Sequence, residues 1–277
     1  MTLAGIYHPI TAAPFQQDDT YREVLPCAAL RPYIRCFWGT ARPMAASGST
    51  ETGLVIPDTC MDIIFDVNYT KNRADGFFCA LDEHSYRTYG FACGDVSATF
   101  GIRFYAWSAA MFAGRDFSGT KNRQFSIDEF FGDLRRELML RLSEAPTLAE
   151  KIAIAEPLLL KHLRPERADS DLLNAVYYML KTDGRARISD LCTYAAVSER
   201  RLERLFDRHM GISPKAFSSL IRYQLLWQNI ALSGRFDVLD AVEKYGYTDQ
   251  PHLLHDFKRH HLLGICDAVE FAQKTRR

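Results

Sequence analysis

The 277-residue chain has no stretch of about 18 apolar residues, so no transmembrane helix is expected. Its opening, MTLAGIYHPITAAPFQQDD, lacks the basic segment and apolar run of a secretory signal. Seven cysteines (Cys27, Cys36, Cys60, Cys79, Cys93, Cys192 and Cys266) are an odd number, and Cys-x-x-Cys is absent; they read as free thiols of a reducing cytoplasm. His-x-His is missing, and the first half holds only His8, His84 and His162, too few and too scattered for a metal-dependent barrel. Gly-x-Ser-x-Gly, His-Glu-x-x-His and a Walker loop are missing too. No catalytic residue, metal ligand or cofactor is therefore expected. A cluster of Cys36, Cys60, Cys79 and Cys93 binding zinc or sensing redox has no spacing to support it.

Net charge is also missing: 34 Lys+Arg face 34 Asp+Glu. From Ala168 onward there are 16 Lys+Arg against 14 Asp+Glu, or +2, which leaves 18 against 20, or −2, for residues 1–167. A nucleic-acid partner would have to be argued from where the charges lie, not from their sum.

What is present divides into two halves. To about residue 125 the pattern is short strands and turns: Tyr33–Thr40, Leu54–Pro57, Met61–Val67, Gly76–Leu81, Tyr86–Phe91 and Ala98–Phe104, with a Pro57-Asp58-Thr59 turn and a loop over Ala41–Gly53. Such spacing predicts a small antiparallel barrel or sandwich. Ile127, Phe131, Leu134, Leu138 and Leu142 then recur at helical steps, with Ser126 or Asp128 as cap. A second helix is expected over Thr147–Leu163, kinked by Pro157. This hairpin reads equally as a dimer face or as packing against the sheet. Leu163-Arg-Pro-Glu-Arg-Ala168 is the best boundary, giving domains 1–165 and 168–277.

Beyond it the chain reads as helix at about 170–182, 189–196, 199–210, 214–232, 238–245, 250–261 and 267–274. Gly184, Gly211, Gly234, Gly246 and Gly264 fall at the joints, and Ser213-Pro214 opens a helix. Two segments repeat one signal. Ser198 and Asp249 are helix caps, and Leu202/Phe206 and Leu253/Phe257 form matching buried stripes. The opposite faces carry Arg200, Arg201, Glu203, Arg204 and Arg208, then Gln250, His252, His255, Lys258 and Arg259. A charged helix face ordinarily only meets water. Two copies, each behind a short helix and a turn, shift the balance to tandem helix-turn-helix units. In such a unit the second helix enters the major groove, where Arg pairs with guanine, Glu with cytosine and Gln with adenine. Residues 214–232 would span about 28 Å at 1.5 Å per residue, against roughly 34–36 Å between successive grooves.

Ser198-x-x-x-Leu202-x-Arg204-x-Phe206, Gly211-Ile-Ser-Pro214-x-x-Phe217, Arg222 and Gly246-Tyr-x-Asp-Gln250-x-His252-Leu253-x-x-x-Phe257-Lys258 together resemble the DNA-binding domain of the AraC/XylS family of bacterial transcription regulators. The chain departs from the family pattern at Ala196 (usually Gly), Val242 (usually Ala), Pro251, and Gly264-Ile-Cys-Asp267, where the family has Gly-x-Thr-Pro. The first reading helix is accordingly expected to carry most of the specificity. Leu54–Phe65 and Gly101–Phe104 resemble the sensor domain of an uncharacterised branch of the same family.

The resemblance implies an α+β chain. A cupin-like antiparallel β-barrel with a helical hairpin would bind a small-molecule effector, and an all-α domain with two helix-turn-helix units would follow. It implies a cytoplasmic transcription regulator, with double-stranded DNA, an effector, RNA polymerase and a second copy as partners, and no membrane. Of the aromatics Tyr33, Phe37, Trp38, Phe65, Phe78, Phe91, Phe100, Phe104 and Trp107, most are expected in a core. Trp38, Phe65, Arg103 and Trp107 are the candidate effector residues. Arg103 would meet an acidic effector or form a structural ion pair; Asp58 and Asp62 would bind a polar ligand or serve the turn. The competing reading is a small-molecule-binding or catalytic barrel whose helices contact protein.

Overall fold

The computed structural model describes residues 2–45, 53–88, 94–233, 236–274 and 276. Phe91, Cys93, Gly234 and much of the expected 41–53 loop lie outside the described residues. The first half builds an antiparallel sheet from β1 (Arg22–Val24), β2 (Ile34–Gly39), β3 (Met44–Ala45), β5 (Cys60–Asn68), β6 (Arg73–Cys79), β8 (Val96–Tyr105) and β9 (Gln124–Ser126). The strand order is β1-β2-β8-β5-β6-β9, with β3 on β8. A separate hairpin pairs β4 (Leu54–Val55) with β7 (Tyr86–Arg87).

The expected closed barrel is not what forms: β1 and β9 end the sheet without meeting. The physical reason is that helices already cover the apolar face, so closure is not needed to bury it. Alternation along β5 sends Ile63 and Phe65 inward and Asp62 and Ile64 outward. Phe37, Phe65, Phe100 and Phe104 are fully buried, with Phe37 and Phe100 stacked at 5.9 Å between ring centroids. They join one core with Leu134, Leu138 and Leu142 of α2 (Asp128–Glu144) and Leu148, Ala155 and Leu159 of α3 (Leu148–His162). The helical hairpin thus packs on the sheet. Thr147 and Glu150 cap α3 reciprocally. Pro157 lies within α3, while the non-helical dihedrals fall instead at Phe131 in α2.

A short α1 (Ala106–Ala109) follows β8. The second half is α4 (Ser170–Lys181), α5 (Ile188–Ala195), α6 (Glu199–Met210), α7 (Pro214–Leu232), α8 (Val238–Tyr245), α9 (Gln250–His261) and α10 (Ile265–Lys274). Gly184, Gly211 and Gly246 take positive φ, as joint glycines do. Gly264 does not: Leu262 turns the chain after α9, and the Gly264 carbonyl begins α10. Among the described residues no helix is long and apolar enough to cross a membrane, no disulfide forms, and no group of three or more His, Cys, Asp or Glu is placed to hold a metal.

Candidate nucleic-acid interface

The two halves of the helical region repeat one local design. The Ser198 hydroxyl accepts from the Arg201 N–H at 3.3 Å to start α6. The Asp249 carboxylate accepts from the His252 N–H at 2.8 Å to start α9. Leu202, Leu205 and Phe206 bury one stripe of α6, and Leu253 and Phe257 one stripe of α9. Arg200, Glu203 and Arg204 stand exposed on the other side of α6. Partial burial and the carboxylates of Glu199 and Asp207 raise the Glu203 pKa. Gln250, His252, His255 and Lys258 stand exposed on α9. The 19 residues of α7 join the two halves.

Three expected base readers are held elsewhere. Arg201 reaches back to α4, with a guanidinium nitrogen 2.7 Å from Asp171 and 3.7 Å from Asp169. Arg208 pairs with Asp116 of the sheet region at 2.9 Å. Arg259 pairs with Asp256 at 2.9 Å, within its own helix. Asp256 and His260 escaped the sequence reading. Yet Leu253, Asp256, Phe257 and His260 follow helical steps of three, one and three, which places both polar residues on the buried stripe. There Asp256 accepts from the Tyr247 hydroxyl at 3.0 Å and lies 3.5 Å from Arg222, whose guanidinium covers the Tyr247 ring.

The C-terminal ends of both exposed helices rest on loops of the sheet region. The Phe117 N–H donates to the Arg208 carbonyl at 2.8 Å, beside the Asp116 pair. The His260 Nδ1–H donates to the Glu83 carbonyl at 2.7 Å, and the Ser85 hydroxyl donates to the His260 carbonyl. These loops are tied to each other: the Glu83 N–H donates to Asn122 Oδ1, and Lys121 pairs with Glu83, both at 2.7 Å. An N-terminal strap holds the middle of α7, where Gln224 exchanges hydrogen bonds with Ile10 and Trp227 Nε1–H donates to the Thr11 carbonyl at 3.0 Å.

The four candidate effector residues are not brought together. Strand alternation puts Trp38 and Arg103 on the outer sheet face and Phe65 on the core face. Trp107 lies buried after β8, stacked on Tyr105 at 4.6 Å. Gly101 makes room for the Trp38 indole: a Cβ there would meet it at 2.1 Å. The indole N–H donates to Asp62 at 2.6 Å. Arg103 lies 3.1 Å from Asp62, 3.4 Å from Asp58 and 3.6 Å from Glu23. The structural ion pair is therefore the arrangement seen, and an acidic effector would meet carboxylates that already surround the cation. Asp58 also accepts from the Cys60 N–H in its turn, at 3.1 Å. Burial pushes up the thiols of Cys36, Cys60 and Cys79, which makes them poor nucleophiles.

An open sheet with a helical hairpin, followed by a helical region in which two capped helices expose polar faces, is the arrangement of a helix-turn-helix protein. Residues 191–263 match the family model described as a helix-turn-helix domain. Residues 22–126 match a domain of unknown function, DUF6597. No curated protein matches. Among solved structures, the chain is similar to apo ToxT K231A from Vibrio cholerae, at 11% identity and a TM-score of 0.41, covering 85% of this chain and 97% of that one. A 1.65 Å structure of Vibrio cholerae ToxT matches at 9% identity and a TM-score of 0.42, covering 85% and 98%.

Proposed function

We propose that this chain is a sequence-specific DNA-binding transcription regulator, not an enzyme, whose sheet domain (1–165) takes a small-molecule effector and whose helical domain (168–277) reads DNA through two helix-turn-helix units. The reading helices are α6 and α9. The observation that carries this is the pair of capped, one-side-buried helices whose other faces expose Gln250 and leave Arg200, Arg204, His255 and Lys258 in no ion pair among the described residues. Arg200, Glu203 and Arg204 are the base readers of the first unit; Gln250, His252, His255 and Lys258 act in the second. Ser198, Arg201, Arg208 and Arg259 position these helices. The linked loops at Glu83–Ser85 and Asp116–Asn122 support coupling, because an effector that moved them would move the ends of both reading helices together. RNA polymerase and a second copy of the chain are further proposed partners, in the cytoplasm.

Selection from random duplexes, followed by gel shifts, tests the proposal. The full chain is expected to select a site and bind it in a salt-sensitive way. Arg204→Ala is expected to weaken that site by about 1–3 kcal/mol while leaving unrelated DNA little changed. No sequence preference in the selection would sink the reading and favour a protein partner for the helices.

A further inference from the structure

Between the two helix pairs lies a cleft of about 740 Å³ that shares only His252 with the proposed base-reading residues. It is lined by the turn before α5, the first half of α7, Gly246 and one side of α9. Its cations are Lys121, Arg185, Arg187, Lys215, Arg222 and Arg259, against only two carboxylates, Glu83 and Asp256. Lys121 is taken by Glu83, and Arg222 and Arg259 share Asp256. Arg185, Arg187 and Lys215 are exposed and make no ion pair among the described residues.

The floor of the cleft carries unanswered donors. Ser218 is only 7% exposed, and its hydroxyl has no hydrogen-bond partner. The Arg222 Nε is likewise buried without one. A buried polar group in this state costs free energy until something meets it. The cleft is also narrow where the two halves approach: a Cβ on Gly246 would meet the Arg185 side chain at 3.1 Å, and one on Gly184 would meet the Ser218 carbonyl at 2.3 Å.

Resting on the DNA-binding reading above, we infer that this cleft receives the sugar–phosphate backbone between the two grooves, with Arg185, Arg187 and Lys215 on phosphates and the Ser218 hydroxyl donating to a phosphate oxygen. The free cations sit on two separate elements, the turn before α5 and the first turn of α7. A row of phosphates can meet both; one small anion would leave part of the set unmatched. The cleft joins the two units, with the turn before α5 on one side and Gly246 and His252 on the other, so DNA held by both units would carry its backbone past it. Phosphate contacts of this kind set register and affinity but do not read sequence.

The test is the salt dependence of binding by the full chain, on the selected duplex and on an unrelated one. Each of Arg185→Ala, Arg187→Ala and Lys215→Ala is expected to weaken both duplexes alike, and to reduce the slope of log affinity against log salt by about 0.9. Ser218→Ala is expected to weaken both with the slope unchanged, since it removes a neutral donor. Phosphate-ethylation interference should place the lost contacts between the two read grooves. Wild-type slopes in all three charge variants, with specific binding intact, would overturn the cleft and leave the regulator reading standing. So would tight binding of inorganic phosphate that Lys215→Ala abolishes while DNA binding persists. Absence of DNA binding by the wild-type chain would overturn both.

Discussion

The two helix pairs place their left-handed residues in opposite ways. In the first, Ala196 makes the turn between α5 and α6 (φ 54°), and Gly211 ends the exposed helix (φ 68°). In the second, Gly246 makes the turn between α8 and α9 (φ 67°), and Leu262 follows the exposed helix at positive φ (60°) but with ψ −39°, in a tight turn closed by the Leu263 N–H on the His261 carbonyl. Conformation alone therefore does not decide where glycine stands. What differs is the approach of other chain segments. A Cβ on Gly211 would meet Thr120 Oγ1 at 2.4 Å and the Phe117 carbonyl oxygen at 2.6 Å. Leu262 is 50% exposed, and Ala196 faces solvent too. Glycine is obligatory where the helical domain docks on the sheet domain and optional where the turn is open.

Gly211→Ala should break that contrast most severely. It adds left-handed strain to a clash with a backbone carbonyl, together about 2–4 kcal/mol. Gly246→Ala meets only the flexible Arg185 stem at 3.1 Å and should cost about 1 kcal/mol. Denaturant unfolding of the two variants measures both. Equal costs would mean that the 117–120 loop yields, and that docking at the end of α6 is soft.

The pairs also differ in what acid does to them. The α9 helix carries two fully buried histidines, His260 and His261, whereas α6 carries one partly buried histidine, His209, which burial also lowers. Burial pushes His261 down to about 3, and also lowers His260, which spans the Glu83 carbonyl and the Arg259 guanidinium. Between the ordinary histidine range near 6.5 and that depressed value, the unfolded chain binds a proton that the fold refuses. Stability is thus complete above about pH 6.5 and is lost as pH falls, at up to about 1.4 kcal/mol per pH unit for each such group. Hydrogen exchange is expected to show α9 opening before α6 as pH drops, with His261→Phe flattening the response. Equal acid sensitivity of the two helices would refute the assignment.

Much of this was legible in the sequence, and the remainder was not for identifiable reasons. Local signals gave the seven C-terminal helices, the caps at Ser198, Ser213 and Asp249, and the buried Leu/Phe stripes, because these depend on residues three or four apart. Barrel closure failed as an expectation because strand spacing says nothing about whether helices or strands cover the apolar face. The partners of Arg201 and Arg208 were illegible for a similar reason: Asp171 and Asp116 lie far away in sequence, and a basic residue on a helix face reads the same whether it meets DNA or a carboxylate. Asp256 is different. It stood on the Leu253/Phe257 stripe from the start, and the period of the helix alone marks it as buried.

The smallest expected effect is the sharpest test of the comparison. Ala196 departs from the glycine usual in the resembled family, and the structure gives it φ 54° and ψ 41° with its side chain toward solvent. A left-handed alanine carries about 1–2 kcal/mol of strain, while glycine costs about 0.5–1 kcal/mol more backbone entropy. Ala196→Gly should therefore stabilise the chain by about 0.5–1 kcal/mol, opposite in sign to Gly246→Ala at the matching turn. A shift in unfolding midpoint with unchanged denaturant slope would register it. If Ala196→Gly destabilised instead, the extra freedom at the turn would outweigh the strain. The first pair would then owe its geometry to a stiff alanine turn rather than tolerate one.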